Sequence, residues 1–64
     1  MREWLKEYRR ASGKNQREVA EAAKVSQSYY AALERGIRGN RIAAPVSKRI
    51  AAAQGFEWTL FYEE

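Results

Sequence analysis

The sequence contains neither cysteine nor histidine. Their absence excludes disulfides, thiolate nucleophiles, imidazole general bases and the usual ligands of structural zinc, so we expect no metal and no other cofactor. No apolar run approaches the roughly 20 residues of a membrane span, and the N-terminal Met1-Arg2-Glu3-Trp4 lacks the apolar core of a secretion signal. At 64 residues the chain has room for one domain, over residues 1–64, but not for an enzyme-sized cleft. We therefore expect a soluble cytoplasmic protein that is not an enzyme and does not bind a membrane.

Positive charge is concentrated in the middle of the chain. The net charge is +4, yet residues 1–7 are balanced and residues 50–64 carry only glutamates as charged side chains. Residues 8–49 contain ten basic and three acidic residues. A surface of this kind suits a polyanion such as nucleic acid, although a solvated basic surface that serves solubility explains the charge equally well.

Glycines and capping residues divide the chain into short helices. Each of three glycines closes a segment of helix-forming residues: Gly13, Gly36 and Gly55. Apolar residues recur at helical spacing and predict a first helix over about residues 1–12: Met1, Trp4, Leu5 and Tyr8. Asn15 and Glu18 form a capping-box pattern that begins a second helix at about 16–23. Ser26 can cap a third helix that ends near Arg35.

The last third of the chain is predicted to hold a loop, a fourth helix and an aromatic tail. Residues 37–43 contain Gly39-Asn40, which is typical of a loop. Pro45 is tolerated in a first helical turn, so a fourth helix is expected from there to Gly55. The tail, residues 56–62, could form a strand by its aromatic content, but a lone strand has no pairing partner in a helical chain. A short fifth helix is therefore predicted, and the fold class is all-α.

Residues 16–36 combine two short helices with a connection of about three residues. Helices joined this tightly cross nearly at right angles, and their closest approach admits only a small side chain, which Ala20 provides. Val25 fills the turn. The residues predicted to point inward are Gln16, Val19, Ala20, Ala23, Val25, Tyr30 and Leu33.

Burial of that set leaves one uncharged face on the third helix. This face carries the candidate base-contacting residues Gln27, Ser28, Tyr29 and Ala32. Basic residues flank it, as expected where the centre of an interface touches bases and its rim touches phosphates: Lys14, Lys24, Arg35, Arg38 and Arg41. The sequence thus predicts a double-stranded DNA-binding surface.

The run from Asn15-Gln16-Arg17-Glu18-Val19-Ala20 to Leu33-Glu34-Arg35-Gly36 resembles the phage-repressor, Cro/XRE-type helix-turn-helix proteins. Matches to the leading and fourth helices of that family extend the resemblance over essentially the whole chain: Leu5, Tyr8, Arg9, Ile50 and Ala51. The resemblance implies a five-helix, lambda-repressor-like domain with its helix-turn-helix at about residues 16–36. Such domains, bacterial or phage-encoded, usually bind operator DNA as symmetric dimers.

The resemblance also implies roles for individual residues. Gln16 matches a glutamine that contacts a phosphate, and Asn15 beside it is expected to contact the same backbone. Arg9 and Glu34 match a buried ion pair that joins helices one and three. Lys24 departs from the pattern because the family's turn often has glycine there, and a left-handed conformation would cost a non-glycine residue roughly 1–2 kcal/mol. Three further departures are Lys14 and Gln54 at usually apolar positions and a somewhat longer loop after Gly36.

Several of these residues have a second interpretation. Gln27 is also compatible with an ordinary polar residue of a first helical turn, and Tyr29 with a ring that covers its neighbours. The loop arginines could be solvated. Aromatic tail residues usually join a core, but five short helices cannot bury every large ring, so Trp58 and Tyr62 are predicted to meet a second subunit in a homodimer.

The predicted function is sequence-specific regulation of transcription, as a repressor, a Cro-like switch or an antitoxin, which the residues do not separate. The alternative is a protein-interaction adaptor, whose expected sign would be an apolar third helix without basic flanks. Catalysis is disfavoured because Glu18 and Glu21, the close carboxylates of the motif, point outward without a cleft. Glycine-capped helices also argue against a membrane-surface peptide.

Overall fold

The computed structural model describes residues 2–36 and 42–63. In these residues the chain forms α1 (Glu3–Ala11), α2 (Gln16–Ala23), α3 (Gln27–Glu34), α4 (Ala44–Gln54) and a 3-10 helix (Trp58–Tyr62), with no strand. The bounds of all four α-helices lie within about two residues of the predicted ones. Most of the predicted loop lies outside the described residues, as do Arg38 and Arg41. No helix of the described part is long and apolar enough to cross a membrane.

The prediction of five α-helices is not confirmed, because the aromatic tail forms a 3-10 helix. The backbone N–H of Leu60 donates to Glu57 O at 3.0 Å, and that of Glu63 donates to Leu60 O at 3.2 Å. Both bonds close over three residues, the spacing of a 3-10 helix, which is the form usual in short pieces at the end of a fold.

Local side chains fix the start of α2 and α3 as predicted. The N–H of Glu18 donates to Asn15 Oδ1 at 2.8 Å and the N–H of Asn15 donates to Glu18 Oε1 at 2.9 Å, a complete capping box. The N–H of Tyr29 donates to Ser26 Oγ at 3.1 Å. Between the two helices Lys24 has φ 62° and ψ 40°, the left-handed conformation, which no other non-glycine residue of the described part adopts.

Two distant arginines satisfy the carbonyl ends of the same helices. Neither α2 nor α3 has a basic residue in its last turn, although the final carbonyls of a helix lack intrahelical donors. Arg49 Nε of α4 donates to Ala23 O at the end of α2, at 2.7 Å. Arg2 donates from Nη1 to Leu33 O and from its backbone N–H to Glu34 O, 2.8 Å away. The C-terminal ends of both helices are therefore held by residues from outside the helix-turn-helix.

The core lies between α2, α3 and α4 and is closed by α1 and the tail. Its buried apolar members are Leu5, Val19, Ala20, Ala23, Tyr30, Leu33, Ile42, Ile50 and Phe61. Of the predicted inward set, Gln16 and Val25 are half-buried and the other five are buried. Ala20 is 2% exposed, in agreement with its predicted place at the crossing of α2 and α3.

Four rings, called the aromatic cluster below, join α1 to the tail: Trp4, Tyr8, Phe56 and Phe61. The ring of Trp4 lies edge-on to Phe56 and Phe61, with centroids 5.3 and 5.2 Å apart, and Tyr8 lies 5.1 Å from Phe56. Such separations are favourable for aromatic pairs. Phe61 is 2% exposed and anchors the cluster to the core.

Candidate nucleic-acid interface

The first turn of α3 projects from the domain. Gln27 and Ser28, its first two residues, are exposed, whereas Tyr30 and Leu33 bury the opposite face of the helix. The remaining two candidates are less accessible. Ala32 is half-buried, and Tyr29 is half-buried because its ring packs against the core. The accessible polar groups of this face are therefore concentrated at the N-terminal end of the helix.

The start of α2 presents Asn15 and Gln16. Asn15 is exposed, and its Oδ1 is already engaged in the capping box. Gln16 Nε2 donates to Glu34 Oε1 at 2.9 Å, so α3 holds the amide in place. Since a glutamine amide nitrogen carries two hydrogens, this bond leaves one hydrogen and the amide oxygen for another partner. The N–H groups at the start of a helix also favour anions.

The Glu34 carboxylate is the centre of a buried polar network. Arg9 Nε lies 2.6 Å from Glu34 Oε2 and Arg9 Nη2 lies 3.4 Å from Oε1, with the two side chains 13% and 5% exposed. The pair predicted to join helices one and three is thus present. Arg9 Nη1 also donates to Lys14 O at 3.2 Å, which ties the network to the turn before α2.

The electrostatics of this network favour an ionised Glu34. Burial alone would raise the pKa of its carboxyl, but hydrogen bonds from Arg9, Gln16 and Tyr30 outweigh that effect and lower it. The hydrogen bond to Glu34 raises the pKa of the Arg9 guanidinium, against the opposing effect of burial. Burial is the largest cause that raises the pKa of the Tyr30 hydroxyl, and the hydrogen bond to Glu34 raises it further. The network therefore holds one negative and one positive charge, with Tyr30 neutral.

Gln54 and Tyr30 extend this network beyond what the sequence predicted. Gln54 is 6% exposed, and its Nε2 donates to the Tyr30 hydroxyl, while its Oε1 is buried without a hydrogen-bond partner in the described structure. The sequence did contain a signal for this hydrogen bond. A buried tyrosine hydroxyl normally finds a partner, and Gln54 occupies a usually apolar position.

The basic residues divide into exposed and internally engaged groups. Lys24, in the turn, and Arg35, at the end of α3, are exposed. Lys14 is half-buried and Arg49 is turned toward the end of α2, whereas Lys48 is exposed with its Nζ 4.9 Å from the centre of the Trp58 ring. Two cations of the predicted rim thus face solvent beside α3, and the excess of positive charge in the sequence overstates the accessible charge.

Trp58 and Tyr62, the predicted dimer contacts, form one pair on the tail. Their ring centroids are 5.8 Å apart in an edge-on arrangement. Tyr62 is 47% exposed, yet its hydroxyl donates to Ile42 O at 2.7 Å, and Trp58 is half-buried. Tyr62 therefore also fastens the chain just ahead of α4.

No group of three or more metal-ligating side chains occurs within residues 2–36 and 42–63. The interface is built from amides, hydroxyls, backbone N–H groups and cations. These groups suit recognition of phosphate and base edges.

Comparison with known proteins supports this interpretation. The model of a family described as helix-turn-helix matches residues 5–57. The chain is 44% identical to an uncharacterized HTH-type transcriptional regulator, YqaF, of Bacillus subtilis (strain 168) over 64 residues, which is 100% of this chain and 82% of the relative. No solved structure is significantly similar to the chain.

Proposed function

The chain belongs to the XRE-type helix-turn-helix family, and from this premise we propose that it is a sequence-specific DNA-binding regulator of transcription that places α3 in the major groove. This family is a non-enzymatic class of DNA-binding proteins, in agreement with the expectation that the chain is not an enzyme. In helix-turn-helix proteins the N-terminal residues of the second helix of the motif contact base edges while the first helix crosses the backbone.

The observation that carries the proposal is the exposed, uncharged first turn of α3. Gln27 and Ser28 face solvent there, and a glutamine amide can pair with the N6 and N7 edge of adenine. Tyr29 and Ala32, more deeply placed, are suited to apolar contact with a thymine methyl group or with sugar.

Phosphate contacts are proposed at the rim of this face. Lys24, before α3, and Arg35, directly after it, are exposed, and Asn15 and Gln16 lie at the start of α2. Phosphate contacts by Arg38 and Arg41 are proposed from the sequence alone. A rim of this kind fixes the position of the protein on the duplex without specifying sequence.

We propose that the whole chain acts as one domain and binds its operator as a homodimer through the tail residues Trp58 and Tyr62. The half-sites would then lie about one helical turn, ~34 Å, apart. These residues do not distinguish a repressor from a Cro-like switch or an antitoxin-type autoregulator. Each of the three would act on DNA in the bacterial cytoplasm. We also propose that the tail, a 3-10 helix over Trp58–Tyr62, takes the place of the fifth helix of the domain.

Selection of bound sites from random duplex DNA tests the proposal. A preferred sequence with two-fold symmetry, bound by two chains, is expected. Recovery of no preferred sequence would contradict specific binding, and one chain per site at saturation would contradict the dimer.

Matched variants separate base contacts from phosphate contacts. Gln27→Ala should weaken operator binding by about 1–3 kcal/mol and leave binding to random duplex nearly unchanged. Arg35→Ala should weaken both and lower the salt dependence by about one counterion. Titrations of both DNAs at several salt concentrations measure these effects, and equal losses for Gln27→Ala on the two DNAs would remove Gln27 as a base contact.

A further inference from the structure

A groove on α1 plays no part in the proposed DNA interface. It has a volume of about 390 Å³ and is lined by Trp4, Glu7, Tyr8 and Ala11. These residues stand at i, i+3, i+4 and i+7 and so form one stripe along the helix. None of them is a candidate for base, phosphate or dimer contact.

The walls of the groove are preformed. Trp4 and Tyr8 are both packed on Phe56, and Trp4 is also packed on the buried Phe61. Even so, Tyr8 is 39% exposed, which makes it one of two exposed large hydrophobic residues in the described part of the chain. The groove therefore offers rigid aromatic surface to a ligand without prior rearrangement.

Glu7 adds a carboxylate to this aromatic surface. It is exposed and has no ion-pair partner within 4.0 Å among the described residues, whereas Glu34 is paired with Arg9 and Glu21 lies 3.6 Å from Arg17. Arg10, one turn further along α1, is exposed but does not pair with Glu7. The carboxylate is thus available to a cation from outside.

Exposed carboxylates outnumber exposed cations around the groove, although the chain as a whole is basic. Of the basic residues in α1 and just before it, Arg10 is exposed and Lys6 is half-buried, whereas Arg2 is buried against the end of α3 and Arg9 is held by Glu34. By contrast Glu3, on the same helix, and Glu57, next to Phe56, are exposed. A positively charged ligand is therefore favoured here, the opposite of the partner proposed for α3.

We propose that this groove binds an arginine side chain, flanked by apolar residues, from a partner protein. A guanidinium stacks on aromatic rings and pairs with a carboxylate in a planar, two-bond geometry, so it satisfies Trp4, Tyr8 and Glu7 together. The volume lies at the small end of ligand pockets and suits one long side chain with its neighbours. The domain would then bind DNA through α3 and a basic protein segment through α1.

A short peptide pair tests the proposal directly. The probe is an acetylated and amidated peptide with one arginine between two leucines, and its control carries citrulline, the neutral counterpart of arginine. Titration into the labelled full chain, followed by ¹H–¹⁵N NMR, should shift Glu7, Tyr8 and Ala11 saturably. Citrulline should bind roughly tenfold more weakly because it lacks the charge.

Two glutamate variants provide matched controls on the same helix. Glu7→Gln should weaken arginine-peptide binding roughly tenfold, while Glu3→Gln, outside the groove, should leave it unchanged. Neither should change affinity for DNA, so failure of this proposal is distinct from failure of the DNA-binding one. Equal binding of the two peptides, or equal losses in the two variants, would overturn it. Concentration-dependent shifts at Tyr8 without peptide would also overturn it, since a second copy would then occupy the groove.

Discussion

The helix-turn-helix and the aromatic cluster are stabilised in different ways. In the helix-turn-helix the small Ala20 is buried where α2 and α3 approach, Tyr30 and Leu33 fill the core beside it, and hydrogen bonds from Arg9 and Gln16 to Glu34 add a polar network. The aromatic cluster instead joins α1 to the tail through large rings in contact. Helices that cross closely admit only a small residue at the contact, and a directional polar network supplements the apolar packing around it. The two regions should therefore respond differently to charge removal and to pH.

The largest effect is expected from Arg9→Ala. It leaves Glu34, 5% exposed, without its cation, and breaking a buried pair in this way costs about 3–5 kcal/mol. Denaturant unfolding measures the loss. Arg17→Ala is the control, because its pair with Glu21 is exposed and contributes about 0.3–0.5 kcal/mol. Similar losses in both variants would mean that the polar network does not stabilise the helix-turn-helix more than a surface pair does.

Lowering the pH should destabilise the helix-turn-helix by protonating the Glu34 carboxylate. The pKa of Glu34 is lower in the folded chain than its ordinary value of 4.5, so the unfolded state takes up the proton first. The stabilisation is complete above about pH 4.5 and declines as the pH falls through the folded-state pKa. The free energy of unfolding, measured from pH 6 downward, should decline less steeply in Glu34→Gln than in the unchanged chain. Glu7→Gln, in the groove, is the matched control, and an equal change there would point to general charge instead.

Lys24→Gly should stabilise the helix-turn-helix. Lys24 has φ 62°, a conformation that glycine adopts without steric cost, so the free energy of unfolding should rise by ~1 kcal/mol, or about 4–8 °C in Tm. Thermal unfolding monitored by circular dichroism measures this change. Lys24→Ala should bring no comparable gain because alanine keeps the strained Cβ, and a lower Tm for Lys24→Gly would contradict the prediction.

The smallest effect is expected in the tail. Tyr62→Phe removes the hydrogen bond to Ile42 O, 2.7 Å long and partly exposed, at a cost of about 0.5 kcal/mol. Tyr8→Phe is the control, since it preserves the ring in the aromatic cluster. A loss near that of Arg9→Ala would show that the tail depends on polar contacts as strongly as the helix-turn-helix does, which would remove the contrast between them.

Local signals predicted the helices because their causes are local. The capping box of Asn15 and Glu18, the cap at Ser26 and the left-handed Lys24 each depend on residues within one turn. The pairing of Arg9 with Glu34 came from resemblance to a family rather than from spacing. The base, phosphate and dimer contacts stay predictions.

Apart from the Arg9–Glu34 pair, the long-range polar contacts were not predicted. Periodicity assigns arginines to the surface, whereas Arg2 and Arg49 are turned inward, and only the packed fold brings them to α3 and α2. The same holds for Gln54 and Tyr30. The tail was assigned to a fifth helix from composition, which does not distinguish an α-helix from a 3-10 helix of five residues.

The arginines that hold the ends of α2 and α3 bind backbone oxygens, at Ala23 and Leu33. Every residue type carries such an oxygen, so this anchorage does not depend on the exposed side chains of either helix. Exchange of the exposed Gln27 and Ser28 should therefore leave this anchorage intact. Under the proposed function, substitutions at a few exposed positions of α3 should change the DNA sequence preferred, with Arg2 and Arg49 kept unchanged.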